Sequence, residues 1–496
     1  VTGTARVVLD VRRDRGALDR RLFGSFVEHM GRGVYTGLYE PGHPTADEHG
    51  FRGDVAELVD ELGVTAVRYP GGNFVSGYRW EDGVGPRADR PRRLDLAWRS
   101  VETNEVGTDE LLQWAERRGL DPVLAVNLGT RGAQAAADLV EYCNQPGGTH
   151  FSDLRAQHGR AAPYAVRTWC LGNEMDGDWQ VGHKTAHEYA RLATETARAM
   201  RLVDPDLELV VCGSSHHRMP TFGYWESEVL EEAWDVVDHV SMHAYYEEQD
   251  GDRRSFLASA ADMDAFIDGV AATIDAVAAR KHSGKRIGIA FDEWNVWYWS
   301  RFPPDGLAEV REAPRLIEDE YTNLDAVVVG DLLISLLNHA DRVRIACQAQ
   351  LVNVIAPIRT EPGGPARRQP TFHPFARTAA AARGAVLHAD VSAPVLSTER
   401  YGEVAAVSAA ATHDADSGAW SLFLVNRAPE PVDVEVEPHG LRDAAPTAST
   451  TTADAAYDGT DPGVPLDVVR TDGGGWRLVL PPESWSVLTV NGGGAA

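Results

Sequence analysis

The chain has 496 residues, 43% hydrophobic and 24% charged, enough for an ordinary folded core and comfortable for two domains. Its 74 acidic residues outnumber 47 Lys plus Arg, a formal net charge of −27. That field excludes nucleic acid and anionic membranes as partners, because both need cationic patches.

The opening segment, VTGTARVVLDVRRDRG, lacks the apolar stretch of an export signal, and TARVVLDVRR (4–13) reads as a strand. From there, short β-rich runs alternate with amphipathic helical stretches. The runs are 22–28, 65–70, 122–128, 166–174, 207–215, 239–246, 286–294 and 342–350. Most lack polar alternation, as strands covered on both faces do. Between them, Val55, Leu58, Val59 and Leu62 recur at helical spacing, as do Tyr189, Ala193, Ala197 and Met200. Leu324, Val328, Leu332 and Leu336 repeat the pattern, and Leu111, Leu112 and Ala115 follow Thr108-Asp109. Eight such units over roughly 330 residues predict an α/β fold, a (β/α)8 TIM barrel spanning 15–375. A doubly wound sheet would want a Gly-rich phosphate loop, and no G-x-G-x-x-G or Walker pattern is present.

Past residue 376 helical periodicity is expected to stop. The pieces 403–411, 420–428, 432–438, 476–482 and 484–491 predict an antiparallel β-sandwich over 376–496, into which the N-terminal strand 1–14 pairs. The tail NGGGAA reads as disordered. No window approaches about 18 consecutive apolar residues. Cys143, Cys170, Cys212 and Cys347 lie far apart without a C-x-x-C pair. Three of them sit inside apolar runs, which reads as buried free thiols of a reducing compartment, and a disulfide or zinc framework is not expected.

Barrel enzymes carry their chemistry at the C-terminal strand ends. The polar residues there are Glu28, His29, Arg68, Asn73, Asn127, Asn173, Glu174, His243, Tyr245, Glu293 and Gln350. Glu174 and Glu293 close otherwise apolar runs on the fourth and seventh strands, across the rim from one another. Paired carboxylates flanking an anomeric carbon are what glycosidic cleavage requires. A gap of about 5–5.5 Å means retention through a covalent intermediate, and about 6.5–9.5 Å means inversion. Arg68 and the Tyr245 hydroxyl are the donors that would keep one carboxylate ionised, and Asn173 could donate to a sugar hydroxyl. Taken alone, a strand-end Glu is more often an ion-pair partner or helix cap. The pair, in its context, weighs against that.

Six segments make the resemblance specific: FGSFVEHMGRGVYTGLYEPGHPTADEHGFR (23–52), VRYPGGNFVSGYRWEDGVGP (67–86), LGNEMDGDWQVGHKTAHEYA (171–190), SMHAYY (241–246), FDEWNVWY (291–298) and AQLVNVIAPI (349–358). In order through the whole barrel, they resemble the α-L-arabinofuranosidases of glycoside hydrolase family 51. The resemblance implies a retaining exo-enzyme removing terminal α-L-arabinofuranosyl units from arabinan- or arabinoxylan-derived oligosaccharides. It implies Glu174 as acid/base and Glu293 as nucleophile. Glu28, Asn73, Asn173, Tyr245 and Gln350 would contact the sugar, with Arg68 and His243 supporting the carboxylates. It also implies a jelly-roll second domain, a cytoplasmic hexamer, and no cofactor or metal. Asp178 stands where Pro is expected, which bears only on that loop's shape.

Trp98 and Trp297 are candidate stacking platforms on the leaving-group side. His183 and His187 stand at zinc spacing but lack the H-E-x-x-H glutamate, and His216-His217 lacks a third ligand; a helix face or loop clamp is the better reading of each. Residues 161–164 and 278–286 read as polar loops, and 303–320 as an acidic insertion. Three other functions stay open on the residues alone: the same mechanism on β-xylosides or β-glucans, a non-catalytic carbohydrate-binding barrel, and a metal-dependent hydrolase.

Overall fold

The computed structural model describes residues 3–302 and 309–492. Part of the acidic insertion (303–308) and most of the expected disordered tail (493–496) lie outside the described residues.

Eight parallel strands close a barrel: Gly24–Phe26, Ala66–Tyr69, Asp121–Val126, Thr168–Leu171, Glu208–Cys212, His239–Tyr246, Gly288–Val296 and Val343–Gln348. They fall within or beside the eight runs expected from sequence. One apolar cluster fills the interior, with Phe26, Ala66, Val123, Ala125, Cys170, Val210, Ala290, Ile345 and Cys347 pointing inward. Helices wrap the outside, and their apolar stripes form the larger core. Helix Ala186–Val203 starts at a capping box. The Thr185 hydroxyl accepts from the Glu188 amide, while the Glu188 carboxylate accepts from the Thr185 amide at 3.0 Å.

The strands' period of two decides what sits above this plug. Phe26 is followed on the same face by Glu28, Ala66 by Arg68, Ala290 by Asp292, and Ser241 by His243 and Tyr245. Three of these strands thus pass from an inward apolar residue to an inward polar one, and the fourth is polar from Ser241 onward. Glu293 is out of phase with Ala290 and gains the interior through a register irregularity. Ala290 lies opposite Ser241, yet Glu293, three residues on, lies opposite His243, two residues on. This one-residue bulge lets neighbouring carboxylates enter the same barrel.

The second domain is a single ten-stranded, mostly antiparallel sheet that encloses its own core. The N-terminal strand Thr4–Ala17 lies inside it, antiparallel to Ala385–Ser392 and parallel to Val432–His439. Strands Ala385–Ser392, Val395–Thr398 and Thr447–Thr452 were not expected from sequence, because short Ala-, Ser- and Thr-rich runs carry little hydrophobic signal. Helix Phe372–Ala381 runs across the boundary expected at 375/376, and residues 278–280 end helix Ala260–Arg280 instead of starting a loop. All four cysteines are buried and free.

Helix Asn323–Asn338 joins the two domains and is buried from Asn323 through Leu337. One face packs on the barrel; the other meets the sheet so closely that a Cβ on Gly330 would stand 2.2 Å from the Trp485 ring. Next to it, Asp331 and Arg427 form an ion pair at 2.7 Å, both nearly inaccessible to water. Removing one partner strands the other's charge in the interface. Asp331→Ala should therefore lower stability by about 3–5 kcal/mol, read as a fall in the urea midpoint; an unchanged midpoint would contradict this role.

Candidate active site

The inward polar residues meet at the C-terminal mouth of the barrel, at the floor of a cleft of about 580 Å³ lined by Glu28, Asn73, Glu174, Tyr245, Glu293 and Gln350 among others. At its centre the nearest acceptor atoms of Glu174 and Glu293 lie within 4.8 Å of each other.

Glu293 is 5% exposed and held from two sides. Arg68 Nη1 donates to Oε1 at 2.7 Å, and the Tyr245 hydroxyl donates to Oε2 at 2.7 Å. Arg68 also donates through Nη2 to Asn173 Oδ1 at 2.7 Å, and its Nε stands 3.0 Å from Asp292 Oδ2. Burial works against its charge, but Asp292 and Glu293 hold the guanidinium protonated well beyond its ordinary range. Asp292, 1% exposed, would be pushed up by burial; Arg68, His243 and a 2.5 Å bond from Ser241 keep it ionised instead. Gly72 makes the close approach of the second-strand loop possible, since a Cβ there would lie 2.8 Å from Glu293 Oε1.

Glu174 follows the fourth strand with a left-handed backbone (φ 44°). Its Oε2 accepts from the Trp179 indole at 2.6 Å, and its Oε1 lies 2.9 Å from His243 Nδ1. His243 Nε2 lies 3.3 Å from Asp292 and 3.2 Å from the Ser241 hydroxyl. Burial would drive the proton off this imidazole, but Glu293 and its bonds to Asp292 and Glu174 push it up to about 10. An imidazolium therefore stands between the carboxylates. Glu174, His243 and Glu293 are also the one grouping among the described residues with metal-ligand spacing. His243 belongs to that group itself, its Nδ1 lying 2.9 Å from Glu174 and 3.6 Å from Glu293.

At the deep end, Glu28 Oε1 accepts from the Phe74 amide and the Trp98 indole, both at 3.0 Å, and Oε2 accepts from Gln350 at 3.0 Å. Asn173 Nδ2 donates to Asn73 Oδ1 at 3.4 Å. The structure thus brings Glu28, Arg68, Asn73, Asn173, Glu174, His243, Tyr245, Glu293 and Gln350 together. Trp98 lines the same cleft, its indole turned to Glu28. Trp297 lines the cleft edge-on to Tyr245, ring centroids 5.2 Å apart. Asn127 caps its own turn at Gly129 and Thr130, and His29 pairs with Glu102 at 2.9 Å. His187 meets Glu228 at 3.2 Å, and His217 meets Asp262 at 3.0 Å; each is the loop or helix clamp expected. Sequence reasoning missed Trp179, Ser241 and Asp292. Only Asp292 had a usable signal, since it keeps the inward phase of Ala290.

Burial, with Glu293 nearby, pushes the Glu28 carboxyl up to about 8 despite its donors. The unfolded chain releases that proton near pH 4.3, roughly, so the folded state binds it more tightly in between and loses stability as pH rises. Glu28→Gln should then melt higher relative to the parent at pH 8 than at pH 5; a difference independent of pH would contradict the assignment.

Two family profiles match: one described as α-L-arabinofuranosidase 1 domain over residues 58–267, and one as α-L-arabinofuranosidase C-terminal domain over 292–484. An intracellular exo-α-(1→5)-L-arabinofuranosidase of Streptomyces lividans is 55% identical, covering 98% of this chain and 75% of that protein. An exo-α-(1→6)-L-arabinofuranosidase of Bifidobacterium longum is 52% identical, covering 98% and 97%. Among solved structures, a family 51 α-L-arabinofuranosidase from Bifidobacterium longum superposes with a TM-score of 0.94 at 46% identity, covering 99% of this chain and 100% of that one.

Proposed function

The chain belongs to the α-L-arabinofuranosidases of glycoside hydrolase family 51, and from that premise we propose a retaining exo-hydrolysis with Glu174 as acid/base and Glu293 as nucleophile. One observation supports the stereochemistry: the closest atoms of the two carboxylates are within 4.8 Å, well short of the roughly 6.5–9.5 Å separation that an inverting pair keeps for its water.

In the first step Glu293 attacks the anomeric carbon while Glu174 gives its proton to the departing oxygen. The C–O bond to the leaving sugar breaks as the bond to Glu293 Oε forms. In the second step Glu174 takes a proton from water, whose oxygen displaces Glu293. Arg68 and Tyr245 hold the Glu293 carboxylate oriented for attack, and His243 and Trp179 hold Glu174 facing the departing oxygen. Glu28, Asn73, Asn173, Tyr245 and Gln350 grip a single terminal furanose, and the bonded trio of Glu28, Trp98 and Gln350 closes the cleft behind it, which favours an exo mode. Two carboxylates supply the proton transfer and the nucleophile, so the proposed steps need neither metal nor cofactor.

Arabinofuranosyl oligosaccharides are the proposed substrates. The two relatives above are named for different linkages, and that choice lies on the leaving-group side of the cleft. β-Xylosides are the alternative, and a dominant rate on an aryl xyloside over the aryl arabinofuranoside would favour them. We further propose cytoplasmic residence, supported by relatives named intracellular and by four buried free thiols. A hexamer with a jelly-roll second domain completes the proposal; the native mass checks the assembly. No helix among the described residues is long and apolar enough to cross a membrane.

Glu293→Ala should lower kcat by on the order of 10⁴-fold or more. Glu174→Ala should regain turnover of an activated aryl arabinofuranoside in azide and yield the glycosyl azide of retained configuration. Retained azide from the Glu293 variant instead would reverse the two roles.

A further inference from the structure

The cleft continues past Glu174, and its outer half has features that the two-step chemistry leaves unused. Its wall there includes Arg218 after the fifth strand, Gln249 after the sixth and Trp299 after the seventh. Two more wall residues, Arg400 and Tyr401, come from the other domain. They sit in the turn of the hairpin formed by Val395–Thr398 and Gly402–Ala405.

This turn is held in place from the barrel side. The Arg400 guanidinium donates to Gln249 Oε1, and its amide donates to Ser255 Oγ at 3.3 Å. The Ser255 segment is in turn fastened to the sheet domain, where Arg253 donates to Glu483 at 2.8 Å and to Asp454 at 2.7 Å. A wall so braced is pre-organised, which lowers the ordering cost of binding.

Its charges are also available. Asp262 is engaged by His217 at 3.0 Å and Tyr246 at 3.3 Å, and Glu247 accepts from the Ser300 amide and hydroxyl at 3.2 and 2.8 Å. Arg400 donates to an amide oxygen, and neither it nor Arg218 has an ion pair within 4.0 Å among the described residues. Aromatic rings are open there too: Trp179 is 46% and Trp299 40% exposed, large apolar faces that packing alone would have covered. Guanidinium donors beside open rings suit the hydroxyls and apolar face of a saccharide.

We propose that Arg400 and Tyr401 form the outer wall of the subsite for the sugar on the leaving-group side, so that the sheet domain takes part in selecting what the arabinose is released from. This rests on the activity proposed above, since it is Glu174 that marks the leaving-group side. Both residues are specificity determinants and touch neither carboxylate of the catalytic pair.

The test compares kcat/KM on an α-linked arabinotriose with kcat/KM on a nitrophenyl α-L-arabinofuranoside, whose leaving group is too small to span the wall. Tyr401→Ala and Arg400→Gln should each lower the triose-to-aryl ratio about tenfold, about 1.4 kcal/mol, chiefly through KM on the triose. Tyr401→Phe, which keeps the ring, should restore most of it. A ratio unchanged in folded variants, judged by their melting, would overturn the proposal; if Tyr401→Ala does not fold, Arg400→Gln alone decides. A parent protein inactive on both substrates would instead overturn the activity itself, a result distinguishable from an unchanged ratio.

Discussion

Arg68 lies at the base of the cleft, away from water, and its positive charge is shared by the Asp292 and Glu293 carboxylates, which stand side by side inside the barrel. Two adjacent buried carboxylates repel one another and are poorly solvated, so without a cation at least one would take up a proton. The planar guanidinium answers both at once and has a further donor for Asn173. A lysine at this position would bring the charge without the fork. The proposed nucleophile, the orientation of Asn173 and the ionised Asp292 beneath His243 all trace back to this one side chain. Asp292 in turn helps keep His243 cationic, and the imidazolium links the proposed acid/base to the same network.

Strand phase is what delivers these groups to one place. Three strands carry an apolar residue inward at the plug and a functional one two positions later, so the packing that closes the barrel also sets the depth of the site. The bulge in the seventh strand is the exception that the chemistry requires, since regular alternation would have turned Glu293 toward the helices while Asp292 pointed in. Gly72 completes the arrangement by letting backbone pass against Glu293 where any side chain would collide. The sheet domain is bound to the barrel through the fully buried helix Asn323–Asn338 and reaches the cleft through the hairpin at Arg400.

Much of this could be read in the chain before any coordinates. The barrel was legible because its strands are buried on both faces and written as continuous apolar runs separated by helical periodicity. Glu174 and Glu293 stood out as carboxylates ending such runs, and the long motif resemblance supplied roles that spacing alone could not. What escaped did so for physical reasons. Asp292 keeps the inward phase of Ala290, but a bulge leaves no mark in composition, so nothing in the chain announced that it and Glu293 both enter the barrel. Trp179 sits in a loop whose path depends on the left-handed turn at Glu174. The weakly hydrophobic strands at 385–392 and 447–452 carry small and hydroxylated residues, which pack in a sheet without announcing it. Arg400 and Tyr401 lie far along the chain from the barrel, and only tertiary packing brings them to its mouth.

Everything in the proposed reaction turns on a covalent bond between Glu293, held by Arg68, and the sugar. A 2-fluoro arabinofuranoside with a good leaving group should accumulate that species, and peptide mass spectrometry after rapid acid quench locates it. One fluoropentosyl unit is expected on the peptide containing Phe291-Asp292-Glu293-Trp294, at Glu293. Label on Glu174, or turnover with inversion and no adduct, would contradict it.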